Sequence, residues 1–195
     1  MPPAIDFLEI GNALDPPLLD AVRQEMRVAA GSPATVTGVA PDRAVEFSAR
    51  SATQIALSGS TRAAVTELLE HHRPRVAAHF GRSLGECEEP QFLRYVPGDY
   101  FVAHQDGNTP LVHDHTRFRK VSVVVFLSEQ SADPAPATYS GGSLVLHGPF
   151  GEDLQVPLAP APGTLVAFPS ETTHEVTPIT RGERLSIVSW YRAAE

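Results

Sequence analysis

Cysteine is almost absent from the sequence: Cys87 is the only one among 195 residues. A single thiol can form neither an internal disulfide framework nor a zinc site built from several thiolates. No Cys/His motif surrounds Cys87, so we interpret it as a spectator thiol. A chain without internal disulfides is typical of a reducing compartment, and we therefore predict a cytoplasmic location.

Basic residues are also in short supply. The chain has 15 Lys and Arg against 23 Asp and Glu, which gives a net charge of −8, and its basic residues are scattered. Proteins that bind nucleic acids or anionic membranes usually carry a basic block. We therefore expect no nucleic-acid partner, and the acidic balance favours a neutral or basic ligand.

Long hydrophobic runs are missing as well. An apolar run such as Val121–Leu127 is far shorter than the roughly 20 residues that a membrane helix needs. The first residues, Met1–Asp6, lack the charged and apolar regions of a signal peptide. We expect no membrane partner, and the oligomeric state stays open. The hydrophobic fraction of 42% is ordinary for a globular protein.

The N-terminal half carries helical signals. Asp15 and Pro16 are a typical N-cap and first helical residue, and apolar residues follow at helical spacing through Ala30. A second helix is predicted to open at Ser60, with Pro74 ending or kinking it before a further turn or two. We interpret residues 1–88 as a helical and mixed buttress that packs on a sheet.

From residue 89 the pattern changes to short β-rich runs between turn signals, which is typical of a sandwich or barrel. Eight such runs suit a double-stranded β-helix, or jelly roll. They are Gln91–Val96, Tyr100–His104, Val121–Leu127, Ser143–His147, Leu154–Leu158, Thr164–Phe168, His174–Ile179 and Arg184–Tyr191. We predict a single domain over residues 1–195 that is mostly β with flanking α, and residues 89–195 form its catalytic core.

His104 and Asp106 end one of these runs. Strand side chains alternate between faces, so residues two apart project to the same side. An imidazole and a carboxylate on one face are two of the three ligands that hold non-haem Fe(II). The pair also occurs by chance in many chains. His174 follows a polar turn and is predicted at the barrel mouth, where a hydrogen-bonded rim histidine is the simpler interpretation for it alone.

Arg184 lies ten residues after His174 and opens the last predicted strand. It shares a face with Ser186 and Trp190. An arginine that points into a barrel needs an anion, because an unpaired buried charge is costly, and a carboxylate fits its fork. The other interpretation is that this face is exposed to solvent, but Trp190 on the same side argues against it.

Together these residues resemble the Fe(II)- and 2-oxoglutarate-dependent dioxygenase superfamily, and flanking motifs narrow the resemblance to its prolyl 4-hydroxylase-like branch. The motifs lie within residues 91–191, and the N-terminal half resembles no family that we can name. They are Tyr95-x-Pro97-Gly98-x-Tyr100-x-x-x-His104-x-Asp106, Arg119-Lys120-Val121-Ser122-x-x-x-Phe126-Leu127, Tyr139-Ser140-Gly141-Gly142-Ser143-Leu144 and Arg184–Tyr191.

The resemblance implies roles for individual residues. His104, Asp106 and His174 would ligate iron, and Arg184 would pair with the distal carboxylate of 2-oxoglutarate. Other residues would assist at the cosubstrate: Ser186 beside Arg184, and Tyr95, which is otherwise a core aromatic. Phe126 departs from the pattern, because some relatives have a cosubstrate-binding tyrosine there. Asp106 argues against a halogenase, in which a small residue typically replaces this carboxylate.

The function that the resemblance implies is hydroxylation of an unactivated C–H bond, with release of succinate and CO2. The cofactors would be Fe(II), 2-oxoglutarate and O2, with ascorbate as an optional addition, and no catalytic side chain is proposed beyond the metal centre. The substrate would be a peptide, through a prolyl or other amino-acid residue, or a small metabolite. The alternative is a jelly-roll binding module with a vestigial or non-redox metal site. The loop Gly107–Arg117, which includes His113 and His115, would border the substrate entrance.

Overall fold

The computed structural model describes residues 5–35, 49–108, 114–149 and 153–194. His113 lies outside this part of the chain. The helices are α1 (Pro16–Val28) and α2 (Gly59–Phe80), and a short 3-10 helix covers His115–Phe118. The strands are β1 (Leu8–Ile10), β2 (Gly31–Pro33), β3 (Arg50–Ser51), β4 (Thr53–Ile55), β5 (Leu84–Cys87), β6 (Gln91–Tyr95), β7 (Tyr100–His104), β8 (Arg119–Phe126), β9 (Glu129–Gln130), β10 (Thr138–Gly141), β11 (Leu144–His147), β12 (Gln155–Leu158), β13 (Leu165–Pro169), β14 (His174–Val176), β15 (Ile179–Arg181) and β16 (Arg184–Ala193).

Helix α1 begins as predicted, because the Asp15 carboxylate accepts a hydrogen bond from the Leu18 backbone N–H at 2.9 Å. Helix α2 differs from the prediction at two points. Its N-cap is Ser58 rather than Ser60, and it runs through Pro74 to Phe80. A proline inside a helix costs about 3 kcal/mol. Burial of Leu69 and Val76 on either side of Pro74 offsets this cost.

Two antiparallel sheets and a small ribbon make up the β structure, which confirms the prediction of a mostly β jelly roll. The larger sheet has the order β1-β13-β8-β16-β6-β4-β2, with β5 also paired to β16. The second sheet has the order β12-β11-β14-β7-β3, and the ribbon has the order β15-β10-β9. Strands from the N-terminal half therefore extend both sheets, with β1, β2 and β4 in the larger sheet and β3 in the second.

Strand β8 lies inside the larger sheet and is buried on both faces. Val121, Val123 and Val125 pack in one cluster with the buried residues of α1 and α2. Val124 and Phe126 alternate with them and pack on the other side, against strands β11 and β12. Burial on both faces explains why this strand reads as an almost continuous apolar run. Within the described part of the chain, neither helix has the length and hydropathy to cross a bilayer.

The predicted strand His174–Ile179 is two strands in the structure. Strand β14 ends at Val176 and pairs in the second sheet, and β15 begins at Ile179 and pairs with β10. Pro178 lies between them and has no N–H to continue a ladder, so the chain changes sheets there.

Cys87 behaves as the spectator that the sequence suggests. Its thiol is half-buried at the end of β5, and burial raises its pKa to about 12, with the Glu70 carboxylate adding to the effect. A thiol with so high a pKa is almost wholly protonated at neutral pH and is therefore a poor nucleophile.

Candidate active site

The two site histidines meet across a strand pair. His104 ends β7 and His174 begins β14, and these two residues are direct partners in the antiparallel register. Their ring centroids are 4.2 Å apart. The sequence separates the residues by seventy positions, so only the sheet topology brings them together.

Asp106 is fixed from two directions just beyond β7. Its backbone N–H donates to the carbonyl of Ser170, in the turn after β13, at 2.9 Å. The Ser122 hydroxyl on β8 donates to Asp106 Oδ2 at 2.7 Å. The carboxylate is thereby held on the side where His104 and His174 converge.

One ligand atom from each of these three residues lies within 4.8 Å of the others. Asp106 Oδ1 is 3.4 Å from His104 Nε2, and Asp106 Oδ2 is 3.4 Å from His174 Nε2. No other group of three or more His, Cys, Asp and Glu in the described residues converges in this way. The sequence-predicted ligand set is therefore assembled on one side of the site.

Backbone carbonyls orient both imidazoles. His104 Nδ1 is 2.8 Å from the Val102 carbonyl oxygen, and His174 Nδ1 is 2.9 Å from the Thr172 carbonyl oxygen. A carbonyl can only accept, so each Nδ1 carries the proton and donates. In its neutral form each ring therefore has its lone pair on Nε2, which faces Asp106. Metal-binding histidines are commonly held by this kind of contact.

The charge states suit a metal ion. Burial raises the pKa of Asp106, but the neighbouring His174 and His104 outweigh burial, and the pKa is lowered overall. Burial lowers the pKa of His174 to about 4, although Asp106 opposes it. At neutral pH the site therefore presents neutral imidazole and ionised carboxylate. Two imidazoles and one carboxylate on one side fit Fe(II), because they leave coordination positions for other ligands.

We predict that Ser122→Ala weakens metal binding about tenfold to a hundredfold while the fold persists. The substitution removes the hydroxyl that fixes Asp106, and loss of such supporting contacts typically costs that much affinity. Titration of the metal-free protein with Mn(II), followed calorimetrically, measures the effect. Ser186→Ala is the matched control, since Ser186 bonds Arg184 rather than Asp106. Equal Mn(II) affinity in wild type and S122A would rule out this role for Ser122.

A cavity of about 180 Å³ lies between the sheets beside these ligands, and Arg184 lines it. Arg184 is only 2% exposed. One guanidinium nitrogen, Nη1, donates to the Ser186 hydroxyl at 3.0 Å, whereas Nε has no hydrogen-bond partner. An arginine held in this way next to a cavity is a ready site for an anion.

Aromatic rings enclose the Arg184 guanidinium. Its central carbon is 5.3 Å from the ring centroid of Tyr95 and 5.3 Å from that of Phe126. Tyr95 on β6 is the register partner of Arg184 on β16, and it also lines the cavity. Its ring therefore packs beside the guanidinium and borders the cavity. Phe126 offers no hydroxyl, as the sequence indicates.

Tyr139 also lies beside Arg184, although the sequence does not predict a site role for it. It is 1% exposed, and burial raises the pKa of its hydroxyl while the Arg184 guanidinium opposes the rise. Its position directly before the Gly141-Gly142 turn is the only sequence signal that could have identified it.

The second glycine of this turn makes room for the arginine. Gly142 has φ +62°, and a Cβ there would lie 2.1 Å from Ile179 Cδ1 and 3.3 Å from Arg184 Cδ. We predict that Gly142→Ala lowers the free energy of unfolding by about 1–3 kcal/mol and weakens the binding of 2-oxoglutarate. Urea unfolding and calorimetry measure both effects. The control Gly59→Ala adds a Cβ with nothing within 4 Å at a helical position, so it should keep or raise stability and leave binding unchanged.

The other histidines in the described part of the chain are not in the ligand set. His147 Nε2 is 3.1 Å from a Glu175 carboxylate oxygen at the sheet surface, and His79 Nε2 is 3.0 Å from Asp6 Oδ1. His115 begins the 3-10 helix that Asp114 caps. The prediction that residues 107–117 border the entrance rests partly on residues outside the described chain.

Comparison with protein families gives a match to the same part of the chain. The model of the 2OG-Fe(II) oxygenase superfamily matches residues 90–192, more than half of the sequence. A PKHD-type hydroxylase of Paraburkholderia phytofirmans is 37% identical over 105 residues, which cover 53% of this chain and 42% of that protein. The chain thus spans less than half the length of the curated relatives that it matches.

Solved structures share the fold over nearly the whole chain. A Pseudomonas putida prolyl-4-hydroxylase matches with a TM-score of 0.72 and 23% identity, covering 97% of this chain and 93% of that chain. A Trichoplax adhaerens prolyl hydroxylase, in complex with a hypoxia inducible factor peptide fragment, matches with a TM-score of 0.73 and 20% identity, covering 95% and 83%. At these identities the likeness concerns the fold alone.

Proposed function

Since the chain belongs to the 2OG-Fe(II) oxygenase superfamily, we propose that it is a 2-oxoglutarate-dependent hydroxylase of an unactivated C–H bond. The observation that carries this proposal is the combination of His104, Asp106 and His174 with the buried, incompletely bonded Arg184 in one cavity. A metal site alone has many uses. A metal site beside an arginine that needs an anion favours a dicarboxylate cosubstrate.

The proposed roles follow from these contacts. His104 and His174 present Nε2 and Asp106 presents its carboxylate, so these three would hold Fe(II). Arg184, supported by Ser186, binds the distal carboxylate of 2-oxoglutarate, and Tyr95 packs beside it. When bound, the iron and cosubstrate supply the oxidising power to place one oxygen atom of O2 in the substrate C–H bond, and the other in succinate, with loss of CO2.

The protein otherwise contributes orientation and a dry cavity. The walls beside the ligands are largely aliphatic, through Val124, Leu144, Val176 and Val188. Exclusion of water strengthens the Arg184–carboxylate interaction, because the local dielectric constant is low. No side-chain general base is required, so none is proposed.

The substrate class follows less directly. The fold neighbours named prolyl hydroxylases support a prolyl or other amino-acid residue, and a small metabolite is the other proposed source of the C–H bond. We further propose that residues 1–195 act as one unit in the cytoplasm, because α1 and α2 pack on the larger sheet and the only cysteine is an unreactive thiol.

Succinate release tests the proposal. The protein is reconstituted with Fe(II) under nitrogen, mixed with labelled 2-oxoglutarate, and exposed to O2. We expect succinate that requires both Fe(II) and O2, and that increases when a substrate or ascorbate is added. A protein that retains zinc and consumes no 2-oxoglutarate would instead be the binding module with a non-redox metal site.

A further inference from the structure

Arg50 is a second buried arginine on the same cavity, and the proposed chemistry does not use it. It lies on β3, is 6% exposed and lines the cavity beside Arg184 and the candidate metal ligands. Its Nη1 donates to the Thr35 carbonyl at 2.9 Å, and its Nε has no hydrogen-bond partner. Among the described residues, no carboxylate lies within 4.0 Å of its guanidinium.

The guanidinium of Arg50 is close to the candidate metal ligands. Arg50 and Phe101 are register partners on β3 and β7. The central guanidinium carbon is 4.7 Å from the Phe101 ring centroid, and that ring stacks on His104 with 3.6 Å between centroids. The arginine, the phenyl ring and the imidazole form a stack, so an anion on Arg50 would lie near the position where the substrate is oxidised.

The charges of the described cavity residues leave Arg50 without a counterion. Arg119 also lines the cavity, but Glu88 neutralises it through two contacts, Nε–Oε1 at 3.0 Å and Nη2–Oε2 at 2.7 Å. In the loaded site, the three negative charges of Asp106 and dianionic 2-oxoglutarate balance a divalent metal and Arg184. No described residue neutralises the charge on Arg50, and a buried unpaired charge is costly.

We propose that Arg50 binds a carboxylate of the substrate and selects anionic substrates for the oxidation. The inference rests on the proposed function and names its substrate class. A carboxylate carries the single charge that neutralises Arg50 and matches the planar fork of a guanidinium. A phosphate monoester carries about −1.5 to −2 at pH 7 and would leave excess negative charge. The carboxylate belongs to an acidic peptide or to a small carboxylic acid.

Binding to the inert, loaded protein tests this assignment. Mn(II) and saturating 2-oxoglutarate occupy the metal and Arg184 under nitrogen, and calorimetry measures a third ligand. The test ligands are pairs that differ only in charge: proline-containing pentapeptides with Asp or Asn and with Glu or Gln, and N-acetyl amino acids with their amides. We expect the acid of at least one pair to bind on the order of tenfold to a hundredfold more tightly than its amide. A preference for the acid among the peptides would indicate an acidic peptide substrate. A preference for the acid among the N-acetyl amino acids would indicate a small carboxylic acid.

Substitution of Arg50 decides whether it causes the preference. Arg50→Gln should reduce the acid-to-amide ratio to about one, and Arg50→Lys should keep part of it. Arg94→Gln is the matched control, because Arg94 also has an unbonded buried Nε but does not line the cavity. No acid preference in wild type, or an equal preference in R50Q and wild type, would overturn the assignment.

The test of Arg50 and the test of the proposed function can be told apart by their outcomes. Succinate release by wild-type protein without acid preference would reject only the role of Arg50. Acid preference without any 2-oxoglutarate consumption would reject the hydroxylase and leave Arg50 as a carboxylate-binding residue with no role in an oxidation.

Discussion

Replacing His174 with alanine should abolish Fe(II)-dependent succinate release, with a loss on the order of a hundredfold or more. His174 supplies one of the three converging ligand atoms, and its ring is held by the Thr172 carbonyl in an orientation that presents Nε2. Loss of contacts that merely support a metal ligand can cost tenfold to a hundredfold, so loss of a ligand should cost at least as much. Labelled succinate and bound iron, measured on the same sample, report the effect.

A matched histidine separates loss of the metal from general damage. His79→Ala removes an imidazole on α2, on the far side of the larger sheet, where its contact is with Asp6. We expect H79A to retain both iron and succinate release. Both variants should melt cooperatively, which thermal unfolding followed by circular dichroism would check. Succinate output that is unchanged in H174A would contradict the ligand assignment and the proposed function with it.

The sequence predicts the parts of the site that depend on local periodicity. Strand β7 has the predicted bounds, and along β16 the residues Arg184, Ser186 and Trp190 share a face as alternation requires. The period of two makes this possible, because it fixes which side chains of a strand share a face. The sequence cannot show by periodicity that His174 pairs with His104, since strand register is a property of the whole sheet. The family resemblance supplied that link.

Other site residues carry no such local signal. Arg50 lies on a two-residue strand, which is too short to show any alternation. Tyr139 precedes a glycine turn, and its contact with Arg184 depends on how β10 and β16 are placed. Helix α2 shows the same limit, because burial along its length lets the helix continue past Pro74, where one predicted outcome was that it would end. In each case tertiary packing determined the outcome.

Net charge and the cavity residues favour different ligands. The overall charge of −8 favoured a neutral or basic partner, whereas the cavity presents Arg50 and Arg184 with unbonded nitrogens. Surface charges are screened over about 10 Å at 0.1 M salt, and buried groups are screened much less. The local guanidinium groups therefore determine which ligand the cavity prefers, and both favour carboxylates.

Replacing Arg184 with glutamine should raise the dissociation constant for 2-oxoglutarate about a hundredfold and leave Mn(II) binding intact. The substitution removes the charge and the fork that pair with the distal carboxylate, and a charge-assisted pair of this kind is worth roughly 2–5 kcal/mol when truncated. Calorimetric titration of 2-oxoglutarate into the Mn(II)-loaded protein measures the change. Arg184→Lys should give an intermediate value, because lysine keeps the charge and loses the fork.

Stability distinguishes lost recognition from a damaged fold. Arg184 is a buried charge with an unbonded Nε in the free protein, so a neutral glutamine should leave the melting temperature unchanged or raise it. Arg181→Gln is the control away from the cavity, since Arg181 is half-buried and bonds backbone carbonyls of residues 131 and 133. If R184Q kept wild-type affinity for 2-oxoglutarate, the distal carboxylate would be assigned to Arg50 instead of Arg184. The opposite pattern is expected: R184Q loses 2-oxoglutarate, and R50Q loses only the preference for acidic test ligands. If each variant loses a different ligand in this way, each buried arginine binds its own carboxylate.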